Sequence, residues 1–350
     1  MTPERNSTSR RAFLALAGLL PLGLAACSAD GQAPAPAASL PAPDNGPYRF
    51  TVEHEFGTVT LQAPPQQVIT LGLQESEGLL ELGVAPRGRT DADITTWYNT
   101  LLNSMKLPGA DLPQLVDASI GVPVDAIAKL QPDLIISFEK SLSRSDYDSL
   151  SKVAPVILPP KGVDLTDWAA ALTFYGRLMG RTAIARQQIE TTRAAVADSA
   201  ADYPALKKAT AMYIGASSVP GSDVTVFAAD AAPNRFLTSL GLKLPASQRV
   251  AASMPAVRNR PSQPGNLLPR SRSKELTADF LVVVLPWTDY AQYTANGTVP
   301  GIPEFGTKNV LYVAGQDAFS IDRASALAMQ WAARNTIPSI ARVAYTSTTK

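Results

Sequence analysis

Cysteine and histidine are almost missing from this chain: its 350 residues contain one of each. A single cysteine excludes an internal disulfide framework, and with a single histidine it excludes a zinc site built from Cys and His alone. A Ser-His-Asp hydrolase would have to use His54, which stands between Glu53 and Glu55 in an alternating stretch, a poor setting for a general base. Gly215-Ala216-Ser217-Ser218-Val219 lacks the second glycine of a nucleophile elbow, and no glycine-rich phosphate loop is present. Net charge is also scarce. A balance of +1 argues against a dedicated nucleic-acid binder. These absences weigh against an enzyme and leave binding as the class to pursue.

Apolar residues are plentiful at 45%, enough for sizeable buried cores. The first apolar run, Ala12 to Ala26, is too short to span a ~30 Å hydrocarbon core comfortably. It follows Arg10-Arg11 and ends in small residues, the order of a secretory signal over residues 1–27. Paired arginines before Phe13-Leu14 resemble the twin-arginine (Tat) export signal. Leu24-Ala25-Ala26-Cys27 resembles a bacterial lipobox, which implies a lipid such as palmitate on Cys27, a membrane anchor and a place in the cell envelope, on the outer face of the cytoplasmic membrane. The need for a thiol at the cleavage point explains why the one cysteine sits there. Residues 28–47 are rich in Ala and Pro, with little bulk to bury, and are expected to form an extended tether.

From Tyr48 the pattern changes. Tyr48 to Val52 and Thr58 to Leu61 alternate around Phe56-Gly57, the signature of a hairpin. Short apolar runs then alternate with helical stretches. The strands are expected at Val68–Gly72, Pro132–Ser137 and Pro155–Leu158, then at Ala211–Ile214, Phe280–Leu285 and Val310–Val313. The helices between them are expected at Glu75–Leu82, Asp125–Leu130, Tyr147–Lys152 and Asn234–Leu240, with a final one at Ser325–Ile340. Asp164 to Ala200 is the longest helical stretch, with a break at Gly180-Arg181-Thr182. Such alternation predicts an α/β protein with two Rossmann-like lobes, mainly parallel sheets and one long helix between them. The expected divisions are an N-terminal lobe at 48–163, a helical connector at 164–203, a C-terminal lobe at 204–342 and a tail at 343–350.

Several segments together resemble the iron-siderophore substrate-binding proteins, periplasmic binding proteins whose lobes are joined by a single helix. Val124-Asp125-Ala126-Ile127-Ala128-Lys129-Leu130-Gln131-Pro132-Asp133-Leu134-Ile135-Ile136 is the most specific match. Pro65 to Leu71, Leu79 to Gly88 and Tyr147 to Val156 support it, and Phe236 to Gly241 and Leu276 to Val282 match more loosely. The resemblance implies a monomer with a ligand cleft between its lobes. It would capture a ferric siderophore without chemistry and present it to an ABC permease. A haem carrier of the same fold stays open, since a tyrosine can ligate iron. So does a non-transport envelope binding protein. The family docks on its permease through an acidic residue on each lobe. Those positions fall here on Arg144 and near Arg270-Ser271, with Asp146 and Glu275 as nearby substitutes.

In open α/β lobes ligands bind outside the carboxyl ends of the strands. The first lobe offers Gln74, Arg89, Trp97, Tyr98, Phe138 and Lys140 there, with Glu75 beside Gln74. The second offers Ser217, Trp287 and Tyr290. Aromatic walls and guanidinium donors suit a bulky anionic chelate. The alternative for each Trp and Tyr is packed core, and for Gln74 and Glu75 a water-facing helix start. Residues 247–274 carry Arg249, Arg258, Arg260, Arg270, Arg272 and Lys274 with no acidic residue, and their prolines predict a loop. That stretch, Arg258 and Arg260 included, would form a cationic lip over the cleft that recruits an anionic chelate. The alternative is a solvated loop, or one lying near anionic lipid.

Overall fold

The computed structural model describes residues 46–90, 113–138, 141–216, 222–256, 264–285, 309–323 and 325–349. The expected hairpin is β1 (Phe50–His54) and β2 (Gly57–Leu61), antiparallel, with Phe50, Val52 and His54 turned inward. Gly57 takes φ 149° at the turn, a conformation that favours glycine.

The first lobe then runs β3 (Val68–Thr70), α1 (Leu73–Glu81), β4 (Gly88–Arg89), β5 (Gln114–Leu115), α2 (Val124–Lys129), β6 (Leu134–Ile136), α3 (Arg144–Leu150) and β7 (Val156–Ile157). Its five strands lie in the order β5-β4-β3-β6-β7 and are parallel throughout. Every residue of β3 and β6 is buried, because a parallel sheet is covered on both faces and so needs an unbroken apolar run. Asp133 gives the Gln-Pro-Asp turn its physical meaning. Its carboxylate accepts the backbone N–H groups of Gln66 and Gln67 at 2.7 and 2.9 Å, pinning the entry of β3 to the entry of β6. The helix α3 begins three residues earlier than expected, since Ser143 accepts the Asp146 N–H and caps it.

Two helices follow, α4 (Trp168–Leu178) and α5 (Thr182–Ala201), parted at Gly180 as the sequence predicts. Gly180 has φ 62°, the left-handed end that a helix adopts at glycine. The twenty residues of α5 span ~30 Å. Ile184 and Ala185 near its start belong to the core of the first lobe, and Val196 near its end to that of the second.

The second lobe contains β8 (Ala211–Gly215), β9 (Val224–Phe227), α6 (Ala232–Ser239), β10 (Gly265–Leu268), β11 (Phe280–Val284), β12 (Val310–Val313), α7 (Gly315–Asp322), α8 (Ala326–Asn335) and α9 (Ile337–Thr348). Its sheet order is β10-β9-β8-β11-β12. β8, β11 and β12 are parallel, and β9 and β10 extend the sheet antiparallel. Three expectations are corrected here. Residues 247–274 are not one loop: 3₁₀ segments at Ala246–Ala251 and Arg270–Glu275 flank strand β10. The last helix is two, broken at Thr336, with Pro338 in the first turn of α9, where a missing N–H costs nothing. The tail expected at 343–350 is helical to Thr348, with Val343 and Ala344 in the core.

Candidate functional site

The carboxyl edge of the first sheet is built by a few short links. Thr70, the last residue of β3, is in register with Arg89 on one side and Ile136 on the other. Arg89 and Phe138 therefore stand at neighbouring strand ends, and Gln74 lies in the first turn of the helix that follows β3. All three are buried, at 7%, 4% and 8% exposure. Gln74 donates its Nε2–H to the Leu165 carbonyl at 2.5 Å. Phe138 packs on the rings of Phe174 and Tyr175, each 5.8 Å away between centroids. Arg89 places a guanidinium at the end of β4, where burial allows a cation only with polar partners.

Neither Gln74 nor Glu75 faces water. Glu75 is fully buried, and its Oε1 accepts the Phe138 N–H at 2.9 Å, tying the start of α1 to the end of β6. Thr90 donates to the Leu71 carbonyl at 2.9 Å and closes the same edge from β4. The whole of α1 is buried, Glu77 and Glu81 included. Sequence reading missed this pair. One available signal was Gly78 in mid-helix: a Cβ there would lie 2.3 Å from the Tyr175 ring, so α1 and α4 touch backbone to ring.

In the second lobe the carboxyl ends of β8 and β11 lead to Ala216 and Leu285, both buried. Trp97, Tyr98, Lys140, Ser217, Arg258, Arg260, Trp287, Tyr290 and Cys27 lie outside the described residues. Of the basic stretch, Arg272 donates through Nε and Nη2 to both oxygens of Glu275 at 2.7 and 2.8 Å. That pairing holds the Glu275 carboxyl below its ordinary range. Arg144 pairs with Asp148 at 2.9 Å and lies over the Phe56 ring. Asp146 accepts the Ser143 hydroxyl at 2.7 Å. Both substitute carboxylates thus already have partners within their own lobes. A groove of about 710 Å³ lies along α4 and α5, lined by Phe174, Arg177, Ile189 and Arg193 among others. Among the described residues, none of the sequence-predicted binding residues lines it.

A family model described as periplasmic binding protein matches residues 68–253, more than half of the chain. The chain belongs to that family. It is 26% identical over 211 residues to the Fe(3+) dicitrate-binding periplasmic protein FecB of Escherichia coli, a match covering 60% of this chain and 67% of FecB. It is 28% identical over 200 residues to the probable siderophore-binding lipoprotein YfiY of Bacillus subtilis, covering 57% of this chain and 58% of YfiY. Among solved structures, a periplasmic solute binding protein from Mycobacterium smegmatis is 25% identical. It superposes with a TM-score of 0.66 over 85% of this chain and 99% of its own length. The two sheets and their connector are thus the family's two-lobed architecture, and its members are binding proteins.

Proposed function

We propose that this chain is the extracytoplasmic substrate-binding lipoprotein of an ABC importer that captures a ferric siderophore and passes it to a membrane permease. The observation that carries this is its place in a binding-protein family, beside relatives named for ferric dicitrate and siderophore binding. The buried Arg89 at the carboxyl edge of the first sheet supports it, because a guanidinium there suits the oxygens of an anionic chelate. The protein works as a monomer by binding and release, without turnover. Its twin-arginine signal exports it, and lipid on Cys27 holds it to the outer face of the cytoplasmic membrane.

Titration of the purified chain with ferric citrate, a hydroxamate complex and a catecholate complex tests the ligand class. One of them should quench Trp fluorescence saturably, and zinc or manganese should not. Saturable haem binding with a Tyr-to-iron charge-transfer band and no response to any ferric siderophore would move the assignment to a haem carrier. The anchor is tested in parallel: Cys27→Ser should lose palmitate label and leave the membrane fraction, and a mature-sized variant still in that fraction would refute the lipid.

A further inference from the structure

Three carboxyl groups are buried on the nine residues of α1, those of Glu75, Glu77 and Glu81. Glu75 accepts the Phe138 N–H within the first lobe. Glu81 crosses the boundary. Its Oε1 accepts the Leu327 N–H at 3.0 Å, and the same carboxyl meets the Ala326 N–H and the Ser325 side chain. Ser325 is the cap of α8, its hydroxyl oxygen accepting the Ala328 N–H at 3.1 Å. The first N–H groups of a helix have no partner inside it and must find one elsewhere. Here a first-lobe side chain supplies that partner to a second-lobe helix.

The contact is sealed by apolar packing. Leu73 and Leu80 of α1 cluster with Ala328, and Ala85, Leu327 and Trp331 pack around them. The connector runs alongside: Gln330 of α8 donates to Thr192 of α5 at 2.8 Å, and Ser199 of α5 to the Ala333 carbonyl at 2.7 Å. The helix α8 is therefore held to the connector along its length and to the first lobe at its tip.

We propose that Glu81 is an interlobe latch, its carboxyl group closing the N-terminus of α8 across the lobe boundary so that rotation of one lobe against the other must first break it. The latch concerns the hinge and holds whatever the ligand is. Burial pushes the Glu81 carboxyl up to about 8, and Glu77, one turn earlier on α1, acts in the same direction. Of the other charged groups in the region, Arg181 donates to the Leu82 carbonyl at 2.9 Å. Asp322 and Arg323 stand three and two residues before Ser325. A Glu81 released into water returns to its ordinary value of 4.5. The latched state thus holds a proton that the open state gives up. Latching is firmest below that ordinary value and weakens as pH rises through about 8, by at most about tenfold per pH unit in the opening equilibrium.

Hydrogen exchange on the whole mature chain, expressed as protection over the intrinsic rate, tests this without any ligand. Glu81→Ala should lower protection in the first turn of α8, Ala326 to Met329, by tenfold or more while leaving Leu134–Ile136 in β6 unchanged. Glu81→Gln keeps an acceptor oxygen and loses the proton. It should preserve protection near neutral pH and abolish the pH dependence that the wild type shows between about pH 5 and 8. Wild-type protection of that turn in Glu81→Ala would overturn the latch. So would a wild-type pH profile as flat as that of Glu81→Gln, which decides the matter alone if the alanine variant does not fold.

Discussion

His54 is the only histidine in the chain, and its setting turns an unpromising catalytic candidate into a stability switch. It is buried at the end of β1, its Nδ1 accepts the Phe56 N–H at 3.2 Å, and its ring stands edge-on to Tyr147. Burial, first among the causes, holds its pKa below the ordinary 6.5. The unfolded chain therefore binds the proton more readily than the folded one. The stability that His54 contributes is present above about 6.5 and is lost as pH falls toward the depressed folded value. Protonation also converts Nδ1 from an acceptor to a donor and opposes the Phe56 N–H. The melting temperature of the wild type should fall between pH 6.5 and 5, and His54→Asn, whose Oδ1 keeps an acceptor near Nδ1, should flatten that slope. Equal slopes in the two proteins would show that His54 plays no part in it.

Gly180 sets the joint between α4 and α5, and its break was readable because glycine is the residue that ends a helix at positive φ. A Cβ at this position would lie 3.0 Å from Pro64 Cγ, and φ 62° is costly for any side chain. Gly180→Ala should lose about 1–2 kcal/mol of stability in denaturant melts. A neutral result would mean that the joint relaxes freely. The strands β3, β6, β8 and β11 were equally legible, since each is a short, mainly apolar run between turn residues. The two-residue strands β4 and β5 are too short to carry a period. β10 hides in a Pro-rich basic stretch because its four residues, Gly265–Leu268, owe their conformation to pairing with β9, not to local propensity. Reading Ser325 to Ile340 as one helix overlooked what Ile337-Pro338 offers: proline starts a helix as readily as it ends one. The candidate site divides in the same way. Placement of Arg89 and Phe138 at strand ends, and of Gln74 just after β3, follows from where strands end, which sequence shows. Their burial and the reach of Glu81 to α8 depend on packing between distant segments, which it does not.

Two lobes on one connector make a binding protein only if both contribute contacts, and this shapes the last prediction. Arg89 stands at the edge of the first sheet, while Arg258 and Arg260 belong by sequence to the basic stretch of the second lobe. If these arginines clamp an anionic ferric siderophore from both sides, each charge-assisted contact contributes about 1.5–3 kcal/mol, and Arg258→Ala and Arg260→Ala each weaken binding about ten- to hundredfold. A solvated basic stretch predicts effects within about 0.5 kcal/mol for both. Arg89→Ala needs a second readout, because removing a buried cation also changes the fold around it. Its melting temperature and its affinity must be measured together, and only a loss of affinity in folded protein counts for the clamp. Salt separates contact from steering. Exposed steering charges fade beyond a Debye length of about 8 Å at physiological ionic strength, whereas buried contacts are screened much less. The clamp therefore predicts that the loss in Arg258→Ala and Arg260→Ala persists at high salt. A loss that vanishes there would recast the basic stretch as an attractor that speeds capture, and wild-type affinity in all three variants would remove the clamp.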